Sequence, residues 1–141
     1  MKLPTEPIGS IPRTDALIQA ITSGASPDQV TRLQDEAVTD TLQRFAATGS
    51  PVITDGEQRK SSFVTYPLDG SDQIAPGGMR IDFADGHHRQ LPLLAKGPFR
   101  FATYADRYLR AARQASPLPV KQAVISASAL SLIYPPEGIP G

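Results

Sequence analysis

Between Ser26 and Gly49 the apolar residues Val30, Leu33, Ala37, Val38, Leu42 and Phe45 recur mostly at steps of three and four, which gathers them on one face of a helix. Ser26-Pro27-Asp28 ahead of them supplies an N-cap, a proline at the first helical position and a first-turn carboxylate, and Gly49 supplies the stop. A shorter helix over residues 15–22 follows from Ala16, Leu17, Ile18, Ala20 and Ile21, with Thr14 as N-cap and Gly24 just past its end. Three other stretches read as extended. Residues 5–11 form a β-like segment that Pro12 stops. Residues 51–54 are a short apolar run closing on Asp55-Gly56-Glu57, the pattern of a buried parallel strand that delivers polar residues to a loop, and residues 120–126 make a third strand. Residues 79–83 and 88–91 flank Ala84-Asp85-Gly86-His87, where Asp-Gly between strand-like runs marks a hairpin. Residues 102–116 read as a helix with a stripe of Tyr104, Tyr108, Leu109 and Ala112, ended by Pro117 and Pro119. A short helix is expected at 127–134 and a flexible loop at 69–78.

Strands separated by helices imply an α/β fold with a parallel sheet and crossover helices, here interrupted by an inserted hairpin. The 141 residues fit one domain, whereas a closed eight-stranded α/β barrel needs roughly 250. Hydrophobic residues at 40% and charged residues at 20% support a folded core, and 14 Lys plus Arg balance 14 Asp plus Glu. That balance supplies no broad attraction for phosphate backbones or anionic lipid, so neither nucleic acid nor membrane is an expected partner. The absence of cysteine excludes a disulfide framework, a thiolate nucleophile and a Cys-based metal site within these residues. Prolines stand near the N-terminus where a signal peptide needs an apolar run, and a cytoplasmic location is expected. The 14 prolines, about twice the usual share of roughly 5%, fall mostly between periodic segments and punctuate many short elements.

Two polar turns lie at the ends of expected strands. Ile8-Gly9-Ser10 closes the first, where a glycine lets backbone N–H groups approach a ligand and the Gly9 and Ser10 amides can hold a small carboxylate. The same residues also read as a simple Gly-Ser turn between prolines. Asp55-Gly56-Glu57 closes the second, and a carboxylate there can accept hydrogen bonds from an ammonium, so the two turns together would recognise both ends of an amino acid. The plainer alternative has Asp55 capping the next segment while Glu57 pairs with Arg59 or Lys60 at the surface. His87 and His88 are adjacent, which on a strand sends them to opposite faces and disfavours a shared metal. Arg107, Arg110 and Arg113, with Asp106 beside them, read as a solvated helix face. No phosphate-cradling glycine loop, nucleophile elbow or zinc-protease motif is present.

Leu3-Pro4-Thr5-Glu6-Pro7-Ile8-Gly9-Ser10-Ile11-Pro12-Arg13, Asp55-Gly56-Glu57 and Pro119-Val120-Lys121-Gln122-Ala123-Val124-Ile125-Ser126 occur in that order. Together they resemble the catalytic domain of cobalamin-independent methionine synthases. They are closer still to its short single-barrel relatives, a group that includes epoxyalkane:coenzyme M transferases. The resemblance runs over essentially the whole chain. It implies that residues 1–141 are the N-terminal portion of a methionine synthase-like catalytic domain, the first strands and helices of an incomplete (β/α)8 TIM barrel with an inserted β-hairpin.

The resemblance also implies roles. Ile8, Gly9, Ser10 and Glu57 would hold homocysteine or methionine. Arg89 and Tyr134 would touch a folate-type methyl donor. The zinc expected of the complete family protein would take its ligands from later strands, with no metal ligand or cofactor within these residues. The run Gln58-Arg59-Lys60-Ser61-Ser62-Phe63 departs from the long synthases. The implied reaction moves a methyl group from the folate-type donor to the thiol of homocysteine, making methionine. The stretch by itself is expected to be catalytically silent and, with its sheet edge open, to self-associate. Two alternatives stay open: an alkyl transferase acting on coenzyme M or another small thiol, and a non-catalytic interaction module.

Overall fold

In the computed structural model, residues 3–135, 137 and 138 are described. The chain divides into two compact units: the residues up to Phe63 with Ala105–Ala123, and Val64–Tyr104 with the residues from Val124 on.

The first unit is built on helices whose ends the sequence marks. Helix α1, Asp15–Thr22, begins at Thr14, whose hydroxyl oxygen accepts from the Leu17 amide, and buries Leu17 and Ala20. Helix α2, Pro27–Ala47, begins at Ser26, which caps the Gln29 amide, and Gly49 lies just beyond it at φ 78°. Its buried face carries Ala37, Val38, Thr41 and Leu42. Thr41 is polar but satisfied, since its hydroxyl donates to the Ala37 carbonyl at 2.7 Å. Helix α3, Asp106–Gln114, buries Tyr108 and Ala112. Val38, Leu42, Ile53 and Ala112 form the core of this unit, with Phe45, Leu118 and Val120 packed against them. Each large aliphatic buried there contributes about 1.5–3 kcal/mol.

The expected strands shrink in this unit. Residues 5–11 pair with no strand among the described residues; Pro7 lacks an N–H, Pro12 stops the run, and the Ile11 amide goes instead to the Gly56 carbonyl at 3.2 Å. The second and third strands meet in a single parallel bridge, Ile53 to Val120. It is closed by Ile53 N–H to Pro119 O at 3.0 Å and Lys121 N–H to Ile53 O at 2.9 Å. The parallel sense agrees with the pattern, but no parallel sheet of three strands and no closed barrel exists among the described residues.

The second unit holds the inserted hairpin. Strands β2, Arg80–Asp82, and β3, His88–Gln90, pair antiparallel in the register Arg80–Gln90, Ile81–Arg89, Asp82–His88. Its turn contains Asp85-Gly86, with Gly86 at φ 87° and Asp85 accepting from the His87 amide at 3.2 Å. The His87 ring stacks on Phe83 at 4.2 Å. Strands β1, Ile74–Ala75, and β4, Leu93–Leu94, pair antiparallel as a second two-stranded sheet. The stretch expected as a flexible loop, 69–78, is thus partly a strand, and Gln73 fastens it: its carbonyl accepts from Ala95 N–H at 2.7 Å and its amide donates to Pro98 O at 2.6 Å. Residues 102–104 do not join α3 as expected. The amides of Ala102 and Thr103 donate to the Pro67 carbonyl, and Tyr104 stands 61% exposed instead of in the helical stripe. Residues 127–134 form helix α4, Ala127–Leu130, followed by a 3-10 turn, Ser131–Ile133. Tyr66, Leu68, Leu94, Leu130 and Ile133 are buried in this unit.

Candidate functional site

Ile53, held by its bridge to Val120, delivers the chain into Thr54-Asp55-Gly56-Glu57, where every residue is buried. The first carboxylate is structural. Asp55 is 1% exposed and its Oδ1 accepts from the Glu57 amide at 3.0 Å, which fixes the turn. Gly56 and Glu57 follow at φ 67° and 59°, two successive left-handed residues. Gly56 could be nothing else, since a Cβ there would lie 2.7 Å from Ile11 Cγ1 and 3.0 Å from Thr41 Cγ2. Glu57 has no such exemption and carries a strain of roughly 1–2 kcal/mol, so its surroundings must hold it.

They do so through the main chain. The Arg13 guanidinium donates to the carbonyls of Glu57 at 3.3 Å, Gln58 at 3.4 Å and, in a short contact, Lys60. Gln58 Nε2 reaches the Pro12 carbonyl at 3.4 Å. The turn after residue 8 and the turn after residue 54 are therefore laced together, bringing Gly9 against Glu57: a Cβ built on Gly9 would lie 3.1 Å from Glu57 Oε1 and 3.2 Å from Ala123 Cβ. Gly9 is buried, while Ser10 and Ile8 are exposed, Ile8 at 93%. Of the residues assigned to the amino acid, Gly9 and Glu57 meet; Ser10 has its side chain at the surface beside them, and the Ile8 side chain lies open.

Lys60 is the residue that the sequence did not single out for function. It is 2% exposed, and its Nζ lies 3.5 Å from Glu57 Oε1 and donates to the Ala123 carbonyl at 2.6 Å. The plainer reading of the turn was right in part: Asp55 does cap, and Glu57 does pair with Lys60, but the pair is buried and not at the surface. Arg59 turns the other way and pairs with Asp35 of α2. Burial, and then the charge of Arg107, pull the Arg59 guanidinium below its ordinary value. Two buried oxygens of the same stretch, Thr54 Oγ1 and Gln58 Oε1, have no hydrogen-bond partner among the described residues. Orphaned polar atoms beside a strained residue are more frequent at functional sites than elsewhere.

The expected donor residues lie in the second unit. Arg89 sits within β3, exposed, opposite Ile81. Tyr134 follows the 3-10 turn and lines a cavity of about 280 Å³ with Met79, Leu93 and Leu132. Arg89 is not among the residues lining it. His87 pairs with Asp85, and no group of three or more His, Asp or Glu side chains is placed to hold a metal ion among the described residues. Nor is any helix among them long and apolar enough to cross a membrane.

Helices, small two-stranded sheets and one parallel bridge in this order match part of a barrel enzyme, without a closed barrel among the described residues. Among the similar solved structures is a B12-independent methionine synthase from Shewanella sp. W3-18-1 in complex with selenomethionine. The TM-score is 0.70 at 17% identity, over 94% of this chain and 40% of that one. The present chain therefore spans well under half the length of the structure it matches. No protein-family model and no curated protein sequence matches the chain.

Proposed function

We propose that the chain is the amino-acid-holding part of a methyltransferase of the methionine synthase type, which moves a methyl group from a folate-type donor to the thiol of homocysteine. The observation that carries this reading is the contact of Gly9 with Glu57. It sets a buried carboxylate beside a glycine whose neighbourhood offers backbone amides. Glu57 accepts hydrogen bonds from the ligand ammonium, and the amides of Gly9 and Ser10 hold its carboxylate. The fold likeness to an enzyme solved with selenomethionine supports the same ligand class.

In the proposed reaction the homocysteine sulfur loses its proton, forms a bond to the methyl carbon, and the donor nitrogen keeps the electron pair of the broken bond and takes a proton. The residues present fix the amino-acid end of that arrangement. They do not fit a zinc site, because no group of three or more His, Asp or Glu side chains is placed to hold a metal ion among the described residues. Arg89 and Tyr134 are proposed for the donor side, with Tyr134 better supported because it already lines a cavity.

Calorimetry with L-homocysteine, L-methionine and coenzyme M tests the reading. One amino acid should bind per chain without competition from coenzyme M, which lacks an ammonium. Glu57→Gln should weaken it about 10- to 100-fold, corresponding to the 1.5–3 kcal/mol of a hydrogen bond to a charged group. Preference for coenzyme M would move the chain to the small-thiol alkyl transferases, and no binding of any thiol would leave only an interaction module.

A further inference from the structure

Lys60 has its ammonium almost wholly removed from water, with 1% of its side chain exposed. Burying such a group is costly unless it is paired and hydrogen-bonded, and the same holds for the carboxylate it faces. Both requirements are met locally. Nζ lies 3.5 Å from Glu57 Oε1, donates to the Ala123 carbonyl at 2.6 Å, and has the rings of Phe63 and Tyr108 at 6.0 and 5.9 Å. These partners surround the cation on its own side of the turn, so it is occupied by the protein and is not a free anion-binding group.

The geometry points to Lys60 as a positioning residue for amino-acid binding, acting through Glu57 and resting on the reading above. Glu57 stands in a left-handed backbone conformation that other residues rarely adopt, and its carboxylate must be aimed by something besides its own turn. Lys60 engages Oε1 from one side. An ionised carboxylate has about four acceptor positions, so Lys60 does not use up those that a ligand ammonium needs. Through the Ala123 carbonyl the same ammonium also ties down the segment whose Cβ limits Gly9. That second bond anchors the ammonium, and its effect on the ligand runs through Glu57.

The test uses the full chain, calorimetry, and two ligands that differ only in the ammonium: L-methionine and 4-(methylthio)butanoate. Lys60→Met should weaken L-methionine about tenfold or more while leaving the affinity for 4-(methylthio)butanoate unchanged. In the Glu57→Gln background the same substitution should cost nothing further. Retained L-methionine affinity in Lys60→Met, equal loss of both ligands, or full additivity with Glu57→Gln overturns the inference. Should Lys60→Met lack a cooperative thermal melt, Lys60→Gln replaces it, with the same two ligands and the same results supporting or overturning the inference. Wild-type chain that binds no L-methionine overturns the amino-acid reading itself, and the inference with it.

Discussion

Glu57 shows how much of the site is decided by single residues. Its left-handed backbone at φ 59° is held by the Asp55 carboxylate on its amide and by Arg13 on its carbonyl, and its side chain is met by Lys60 and Gly9. Gly9 and Glu57 were legible in the sequence, because a glycine turn and an acidic turn at successive strand ends already suggested the two halves of an amino-acid site. Lys60 was not legible: a lysine three residues after a glutamate is ordinarily a solvated surface pair, and only burial distinguishes this one. Gly9→Ala follows as a prediction at this scale. Its Cβ would stand 3.1 Å from an oxygen that Lys60 restrains and 3.2 Å from the backbone-fixed Cβ of Ala123, so neither neighbour gives way easily. L-methionine binding in calorimetry should fall about tenfold while the thermal midpoint drops by only a few degrees, as a strain of about 1 kcal/mol implies; unchanged affinity would mean that the approach of Gly9 to Glu57 does not matter for the ligand.

Helices and strands differ in how far the sequence determines them. The helices α1 and α2 start and stop where Thr14, Ser26-Pro27, Gly24 and Gly49 place them, since capping and the apolar face are local properties. The hairpin was likewise readable from Asp85-Gly86, whereas the parallel strands depend on partners distant in sequence and reduce to the bridge at Ile53 and Val120. Helix α3 starts late: Ala102 and Thr103 are held through their amides by the Pro67 carbonyl, a contact distant in sequence that periodicity does not show. Ser26→Ala should destabilise the first unit by about 1 kcal/mol in denaturant unfolding, the usual worth of an N-cap; no change would show that Pro27 alone fixes the start of α2. On α3, the hydrogen bond from Arg110 holds the exposed Asp106 carboxyl below its ordinary value against a smaller opposing effect of desolvation. A lowered folded-state pKa adds stability that is present above the unfolded value and lost as pH falls through the folded one. Asp106→Asn should therefore melt slightly lower than wild type at neutral pH, with the difference shrinking on acidification below about pH 4; a difference that persists into acid would assign the effect to something other than the ion pair.

For the molecule as a whole, the sequence motifs and the fold point the same way by independent routes. The motifs cover short turns, whereas the likeness to the Shewanella enzyme extends over 94% of the chain at only 17% identity and so speaks to fold alone. The proposed function rests on the cluster of Gly9, Glu57 and Lys60 in the first unit, and that cluster can be examined without any turnover. Backbone amide NMR during titration with L-methionine is the most direct measurement. The account predicts saturable shifts concentrated at Gly9, Ser10, Gly56 and Glu57, reaching saturation only at about 10- to 100-fold higher ligand in Glu57→Gln. Shifts that cluster elsewhere, or none at millimolar ligand, would contradict it.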